Sequence, residues 1–175
     1  CFKTKAECDL CIMKPETCHY HLGTCREDEF AHSVCFQPHI VYLANSSALK
    51  IGITRIVNMP TRWLDQGATQ ALPILKVGSR RLSGHLETLI GTQIADKTDW
   101  RKLLKGEAEP LNLIEQRDQI LEEFAPKIQT IRDEFSQNLE FNENLEFLEN
   151  ELPREFIYPV EQYPEKIKSL NLDKT

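Results

Sequence analysis

Apolar residues come in short β-branched runs between positions 40 and 79, then at three- and four-residue steps along most of the remaining chain. Ile40 to Ala44 is one such run, Asn45-Ser46-Ser47 is turn chemistry, and Leu49 to Thr54 is a second run, which together predict a hairpin. Pro60 suits the first turn of a short helix carrying Arg62, Trp63 and Leu64, with Gly67 ending it. Ala71 to Ser79 reads as a third strand, and Pro73 implies an edge position or an irregular start. Ser83 is the expected N-cap of a helix with Leu86, Leu89, Ile90 and Ile94 on one face. Glu87 lies one position round from Leu86, so its carboxylate emerges at the rim of that apolar stripe, facing back over the sheet. Trp100, Leu103 and Leu104 predict a further short helix closed by Gly106.

From 113 to 135 the apolar positions Ile114, Leu121, Phe124, Ile128, Ile131 and Phe135 predict an amphipathic helix that packs on a core. Pro126 either kinks it or starts a second segment. Asn-Leu-Glu-Phe then occurs twice, at 138–141 and 144–147, in what reads as an acidic surface element. Phe156, Ile157 and Tyr158, bounded by Pro153 and Pro159, suit a late strand added to the sheet. The expected fold is α/β of the α+β kind, an antiparallel sheet of about three strands flanked by helices. The expected division is 1–38, 39–107 and a helical acidic extension over 108–175.

The first 37 residues lack apolar periodicity, and their composition changes the picture. All six cysteines lie within the first 35 residues, along with Cys18-His19-x-His21, His32 and His39 by position 39. Zinc takes four thiolate or imidazole ligands in a tetrahedron, and Cys8-x2-Cys11 on a tight turn supplies two. Disulfides are the competing account, since small secreted domains are also cysteine-dense. The rest of the chain holds no cysteine and reads as an ordinary cytoplasmic α/β domain, which favours a zinc knuckle. The expected ligands are Cys8, Cys11, Cys18, His21, Cys25 and Cys35 as candidates, with Cys1 serving a site that extends upstream. A site closed by four protein ligands is structural and contributes folding free energy.

Charge is unevenly spread over a chain of net charge −6. Residues 40–105 hold 10 Lys and Arg against 4 Asp and Glu, whereas residues 106–175 hold 7 against 17. A basic face for DNA or RNA is therefore compatible with an acidic whole. The acidic C-terminal region suits a protein partner. No apolar run approaches the roughly 18 residues of a membrane helix, so no membrane is expected as a partner.

Val41-Tyr42-Leu43, Lys50-Ile51-Gly52 with Thr54, Arg62-Trp63 and Leu86-Glu87 with Leu89-Ile90 occur in an order that resembles the GIY-YIG nuclease superfamily. The first two resemble its motif strands, the third its helical arginine and the fourth the helix that supplies its metal-binding glutamate. His39 or Ile40 stands where that family has Gly, Lys50 stands for the second tyrosine, and Gln66 stands where many members have His or Tyr. Asp99 falls loosely near a family asparagine. Over nearly its whole length, through the cysteine-rich start, VYLANSSALKIGITR, PTRWLDQGATQALPI and DKTDWRKLLKGE, the chain is similar to a bacterial family of unknown function. That family joins a zinc-ribbon-like region to a GIY-YIG-like domain.

The resemblance implies nucleic-acid binding with Mg²⁺-dependent phosphodiester cleavage. Glu87 would hold one Mg²⁺ that keeps most of its waters. Arg62 would grip phosphate. Tyr42 or Lys50 would deprotonate or orient the attacking water, for which a lowered pKa is needed. Arg55, Arg80, Arg81, Lys102 and Lys105 are the expected backbone contacts. Competing local roles are stacking of Arg62 on Trp63, pairing of Asp65 with Arg62, and a surface position for His85. The alternative functions are a non-catalytic nucleic-acid-binding module, and a zinc-dependent protein-interaction protein.

Overall fold

The structure is a computed structural model that describes residues 9–94, 100–106, 108–136 and 144–166. Two short helices, α1 (Leu10–Met13) and α2 (Asp28–Phe30), belong to an N-terminal region otherwise built of single turns at Pro15–Thr17, Tyr20–Leu22 and Ala31–Cys35. The hairpin comes next as β1 (His39–Asn45) and β2 (Leu49–Arg55), then α3 (Met59–Asp65), β3 (Gln70–Val77) and α4 (Arg80–Gly91). After α5 (Trp100–Lys105) comes α6 (Leu113–Ser136), and β4 (Leu145–Phe147) and β5 (Arg154–Glu155) complete the described elements.

The fold class is the expected one, a mixed α/β protein on a small antiparallel sheet, but the sheet has five strands among the described residues. The order is β2-β1-β3-β4, with β5 also paired to β3. Two strands therefore come from the chain beyond residue 107, where the sequence pattern presents a helical extension with one late strand. β3 is an interior strand and not an edge. Pro73 is tolerated there because β5 pairs at Gln70 and Ala71 while β4 pairs at Leu75 to Val77. Proline lacks an N–H, and it sits in the gap between the two partners. On its other side the β1–β3 register shifts between Val41 and Tyr42, a bulge opposite the proline. The late strand is Arg154–Glu155, two residues before the expected Phe156 run. Phe156 comes directly after it, its N–H donating to the Thr69 carbonyl.

Helix α4 begins a turn before the predicted cap. Ser79 accepts a hydrogen bond from the Leu82 N–H at 3.1 Å, and Ser83 is buried inside the helix with its hydroxyl donating to the Arg80 carbonyl. Two arginines in a first turn oppose the helix dipole, which hides this start from a sequence reading. α6 runs through Pro126 as a single helix of 24 residues. One face of the sheet carries the main core, where Val41, Leu43, Leu72 and Ile74 meet Leu82, Leu86 and Ile90 of α4 and Phe124 and Ile128 of α6. The other face carries a smaller core of Ile40, Tyr42, Ala44, Trp63, Ala68 and Ala71. Cores of this kind fix the sheet and both helices as one rigid frame. Among the described residues no helix is long and apolar enough to cross a membrane.

Candidate functional site: a basic cleft beside a thiol-lined pocket

The site begins at β1 and β2, where Tyr42 pairs with Gly52 across the hairpin. A Cβ at residue 52 would lie 2.7 Å from the Tyr42 hydroxyl oxygen and 2.8 Å from Cζ. Gly52 is needed here for room alone, since its φ is not positive. The ring is 1% exposed and meets Trp63 edge-on at 5.8 Å, so its position is set by packing. Its hydroxyl donates to Gln66 Oε1 at 2.8 Å. Burial pushes this phenol up to about 12, against the lowering influence of the Arg62 charge and of hydrogen bonds from Arg62 and with Gln66; Glu87 adds to the rise. The lowered pKa expected for a basic tyrosine is thus reversed, because burial outweighs the neighbouring cation. At neutral pH the group is a hydrogen-bond donor.

Above this phenol lies a cleft of about 610 Å³. Lys50, Arg55, Arg62 and Arg80 line it with Glu87, Gln66 and Asn58, and Ile12, Met13, Pro15 and Val34 of the N-terminal region form one wall. Three of the four residues read from the sequence as a site, Lys50, Arg62 and Glu87, share this cleft, and Tyr42 lies beneath it within electrostatic reach of Arg62 and Glu87. Glu87 is the only carboxylate among the described lining residues. It is half-buried, on α4 where β2 meets that helix. His39 also lines the cleft, pushed down to about 4 chiefly by burial, with the Gln37 carbonyl opposing and Arg80 and Arg55 reinforcing, so it is neutral near pH 7.

The other expected contacts divide. Arg55 and Arg80 line the cleft, whereas the Arg81 guanidinium lies 4.8 Å over the Phe135 ring. Lys102 lines a separate hollow with Asn45, Ser47 and Gln116, at the other end of β1. Lys105 ends α5. Arg62 does not stack on Trp63; Arg154 takes that position at 5.7 Å. His85 is half-buried with its ring edge-on to Phe135 at 5.0 Å, and its pKa is lowered by burial and by Arg81. Asp99 lies outside the described residues. No pairing of Asp65 with Arg62 is needed to explain either side chain's exposed position.

The second feature adjoins the cleft wall. Cys11, Cys18, Cys25 and Cys35 line a pocket of about 20 Å³ with His19, Asp9 and the rings of Tyr20, Phe30 and Phe36. All four cysteines are free thiols. Cys35 is pushed up to about 11 by burial, with Arg80 opposing and Cys18, Cys11 and Cys25 adding to the rise. Cys11 is raised by burial and by Cys18, Asp9 and Cys25, again with Arg80 opposing. Asp9, Cys11 and His19 bring ligand atoms within 4.8 Å of one another, a cluster able to hold a metal ion. His21 is exposed and does not line the pocket, and Cys1 and Cys8 lie outside the described residues. Asp9 and His19 are absent from the ligands expected on sequence grounds. His19 has no regular spacing to distinguish it from His21, and only the turn at Tyr20–Leu22 separates their directions.

The two features share a wall. Arg80 lines the cleft, donates to the Ile12 carbonyl and bears electrostatically on Cys11 and Cys35. One turn on, a Cβ at Gly84 would fall 2.6 Å from Pro15 Cβ and 2.8 Å from the Glu16 backbone nitrogen. The N-terminal region therefore sits flush on α4.

Comparison with known proteins places the whole chain. It belongs to the family described as "Protein of unknown function (DUF2797)". The family match spans residues 1–175, the N-terminal region and both late strands included. No curated protein and no solved structure matches it. Membership in DUF2797 lends no chemistry, so any function rests on the cleft and the pocket themselves.

Proposed function

We propose that this DUF2797 protein binds nucleic-acid phosphates in the cleft and cleaves a phosphodiester there with one Mg²⁺ held by Glu87. The observation that carries the reading is a single cleft lined by Lys50, Arg55, Arg62 and Arg80 against one carboxylate. Four cations in a concave, polar wall outnumber the acid facing them and attract a polyanion. A single half-buried carboxylate could hold a Mg²⁺ that keeps several waters once phosphate oxygens engage the surrounding cations. Such an ion supplies charge stabilisation and an acidified water. Arg62 would hold a non-bridging phosphoryl oxygen, Lys50 and Arg55 would fix the strand, the attacking water would lose its proton to solvent, and the protonated Tyr42, on releasing Gln66, would donate toward the leaving oxygen. An antiparallel sheet flanked by helices, with the arginine on the helix after the hairpin and the glutamate on the helix after β3, supports this reading. A structural zinc ion in the N-terminal region completes the reading; the thiol donor set there suits it.

One observation favours a second reading. Among the described residues the cleft holds no second carboxylate, and Tyr42 cannot act as a base near pH 7, which suits a module that binds without cutting. Cleavage of branched, nicked and single-stranded DNA and RNA, with and without Mg²⁺, separates the two. Cutting that needs Mg²⁺ and vanishes in Glu87→Gln, with binding retained, is expected of the nuclease. Four phosphate contacts also predict that log K falls with log salt at a slope of about −3 to −4. Binding indifferent to salt sinks both readings.

A further inference from the structure

The four thiols that surround one small pocket come from four separate turns of the chain, at residues 11, 18, 25 and 35. Their convergence is not a by-product of core packing, because hydrophobic residues and not thiols fill the two cores of the sheet. The pocket holds about 20 Å³, room for one water-sized sphere, which fits a single ion and no organic ligand. Four thiols lining one pocket without a cation are electrostatically unfavourable once ionised, and a dication removes that penalty.

Two ligand sets compete for that ion. Among the described residues Asp9, Cys11 and His19 are the group whose ligand atoms lie within 4.8 Å of one another, whereas the four thiols meet as the lining of the one pocket, which an ion would draw together. Asp9, however, is already held by Arg26, which donates from Nε at 3.1 Å and from a terminal nitrogen to the other oxygen. A hard carboxylate committed to a guanidinium is a poorer zinc ligand than a thiolate. His19 shares a hydrogen bond of 2.7 Å between Nδ1 and Thr24 Oγ1, which fixes its ring beside the thiols.

We propose that Cys11, Cys18, Cys25 and Cys35 are the four ligands of one zinc-class ion, and that this ion braces the cleft wall against α4. The proposal rests on the reading of the N-terminal region as metal-binding and adds to it a ligand set and a mechanical role. Each thiol loses its proton to solvent on binding and the ion keeps its charge, so no oxidant is involved. The brace is a consequence of position. The ion ties the turn before Pro15 to the turn at Ala31–Cys35, and Ile12, Met13, Pro15 and Val34 from those two turns are the cleft wall. Arg80 and Gly84 then seat that wall on the helix that carries Glu87.

The test uses the full chain. Elemental analysis is expected to give one zinc per chain in the wild type. Substitution of Co²⁺ is expected to give the strong thiolate-to-cobalt absorption of four sulfur ligands. Cys18→Ser and Cys25→Ser are expected to retain zinc at least about tenfold less well. Asp9→Asn and His19→Ala are expected to keep it. Because a metal-free variant can lose local structure, the cobalt spectrum of the wild type stands as the second measurement. Chelation is also expected to speed tryptic cleavage after Arg26, between Cys25 and Cys35, while α6 stays protected. An ion kept by Cys25→Ser and lost in His19→Ala, or a cobalt spectrum with fewer than four sulfurs, overturns the ligand set alone. A wild type with no ion and freely alkylated thiols, or with the four thiols oxidised to cystines, overturns the underlying reading as well. Unchanged cleavage after Arg26 on chelation overturns the brace.

Discussion

Gly52→Ala tests the close approach on which the cleft floor depends. The added Cβ would lie 2.7, 2.8 and 3.2 Å from Oη, Cζ and Cε2 of Tyr42. Ordinary carbon contacts sit near 3.5 to 4.0 Å, so the ring has to move by about 1 Å. It cannot do so freely. Trp63 lies against it, it is 1% exposed, and its hydroxyl is held by Gln66 at 2.8 Å. Overpacking of this kind costs about 1–3 kcal/mol, and a strained or broken hydrogen bond adds about 1 kcal/mol. Alanine restricts the unfolded chain more than glycine, which offsets about 0.5 kcal/mol of that. The net expectation is a loss of about 2–3 kcal/mol in urea unfolding, with the denaturant slope unchanged. In a Tyr42→Val background the ring is gone, and the same Gly52→Ala change should be neutral or mildly stabilising. That coupling is the measurement, by a double-mutant cycle. An equal cost in both backgrounds, or a stabilised single variant, refutes the steric argument. Glycine in the middle of a strand facing a buried ring would then lack a steric cause.

Gly84→Val should drive the Pro15–Thr17 turn off α4, because the added Cβ meets the Pro15 ring at 2.6 Å and backbone at 2.8 Å; a cost of about 1–3 kcal/mol and faster proteolysis of the N-terminal region are expected. His39 makes stability pH-dependent. Its folded pKa, about 4, lies below the unfolded value of 6.5, so the unfolded chain takes up a proton first as pH falls. Its contribution is full above pH 6.5 and lost toward pH 4, on the order of 2–3 kcal/mol, and His39→Gln should flatten the urea-midpoint profile across that window. Deletion of residues 138–175 removes β4 and β5 and bares the β3 edge with Leu75 and Val77, so cooperative unfolding should disappear; a sharp transition at the wild-type midpoint contradicts that.

The hairpin, the helix at Arg62 and the helix at Glu87 were legible because short-range chemistry decides them. Turn residues sit between β-branched runs, and apolar positions repeat at helical steps. Residues whose fate depends on distant partners were not. Leu145 to Phe147 reads as part of an acidic repeat, since its alternation is masked by Glu143, Glu146 and Glu149. Only the open edge of β3 makes it a strand. Arg81 resembles its neighbour Arg80 in sequence, yet a one-residue rotation on α4 sends it to Phe135 and away from the cleft. The thiol pocket shows the same limit. Cysteine density points to a metal, while the choice of residues depends on how four turns fold back on one another.

The acidic total charge and the basic cleft are reconciled by distance. At physiological salt the Debye length is about 8 Å, so a phosphate entering the cleft feels its lining far more than the rest of the chain. That lining has four cationic side chains and one carboxylate, although the chain as a whole carries −6. The excess acid belongs to residues 106–175, and the described part of it rides on α6 and the late strands. None of those described carboxylates lines the cleft. Glu87 therefore meets its surroundings as the one acid among cations. Its charge is compensated before any ion arrives, which by itself weakens Mg²⁺ affinity. In the proposed reading, phosphate oxygens on Lys50, Arg55 and Arg62 would withdraw that compensation, and the carboxylate and phosphate would bind the ion together. Metal and nucleic acid are then expected to enter the cleft cooperatively, because each removes the electrostatic obstacle to the other.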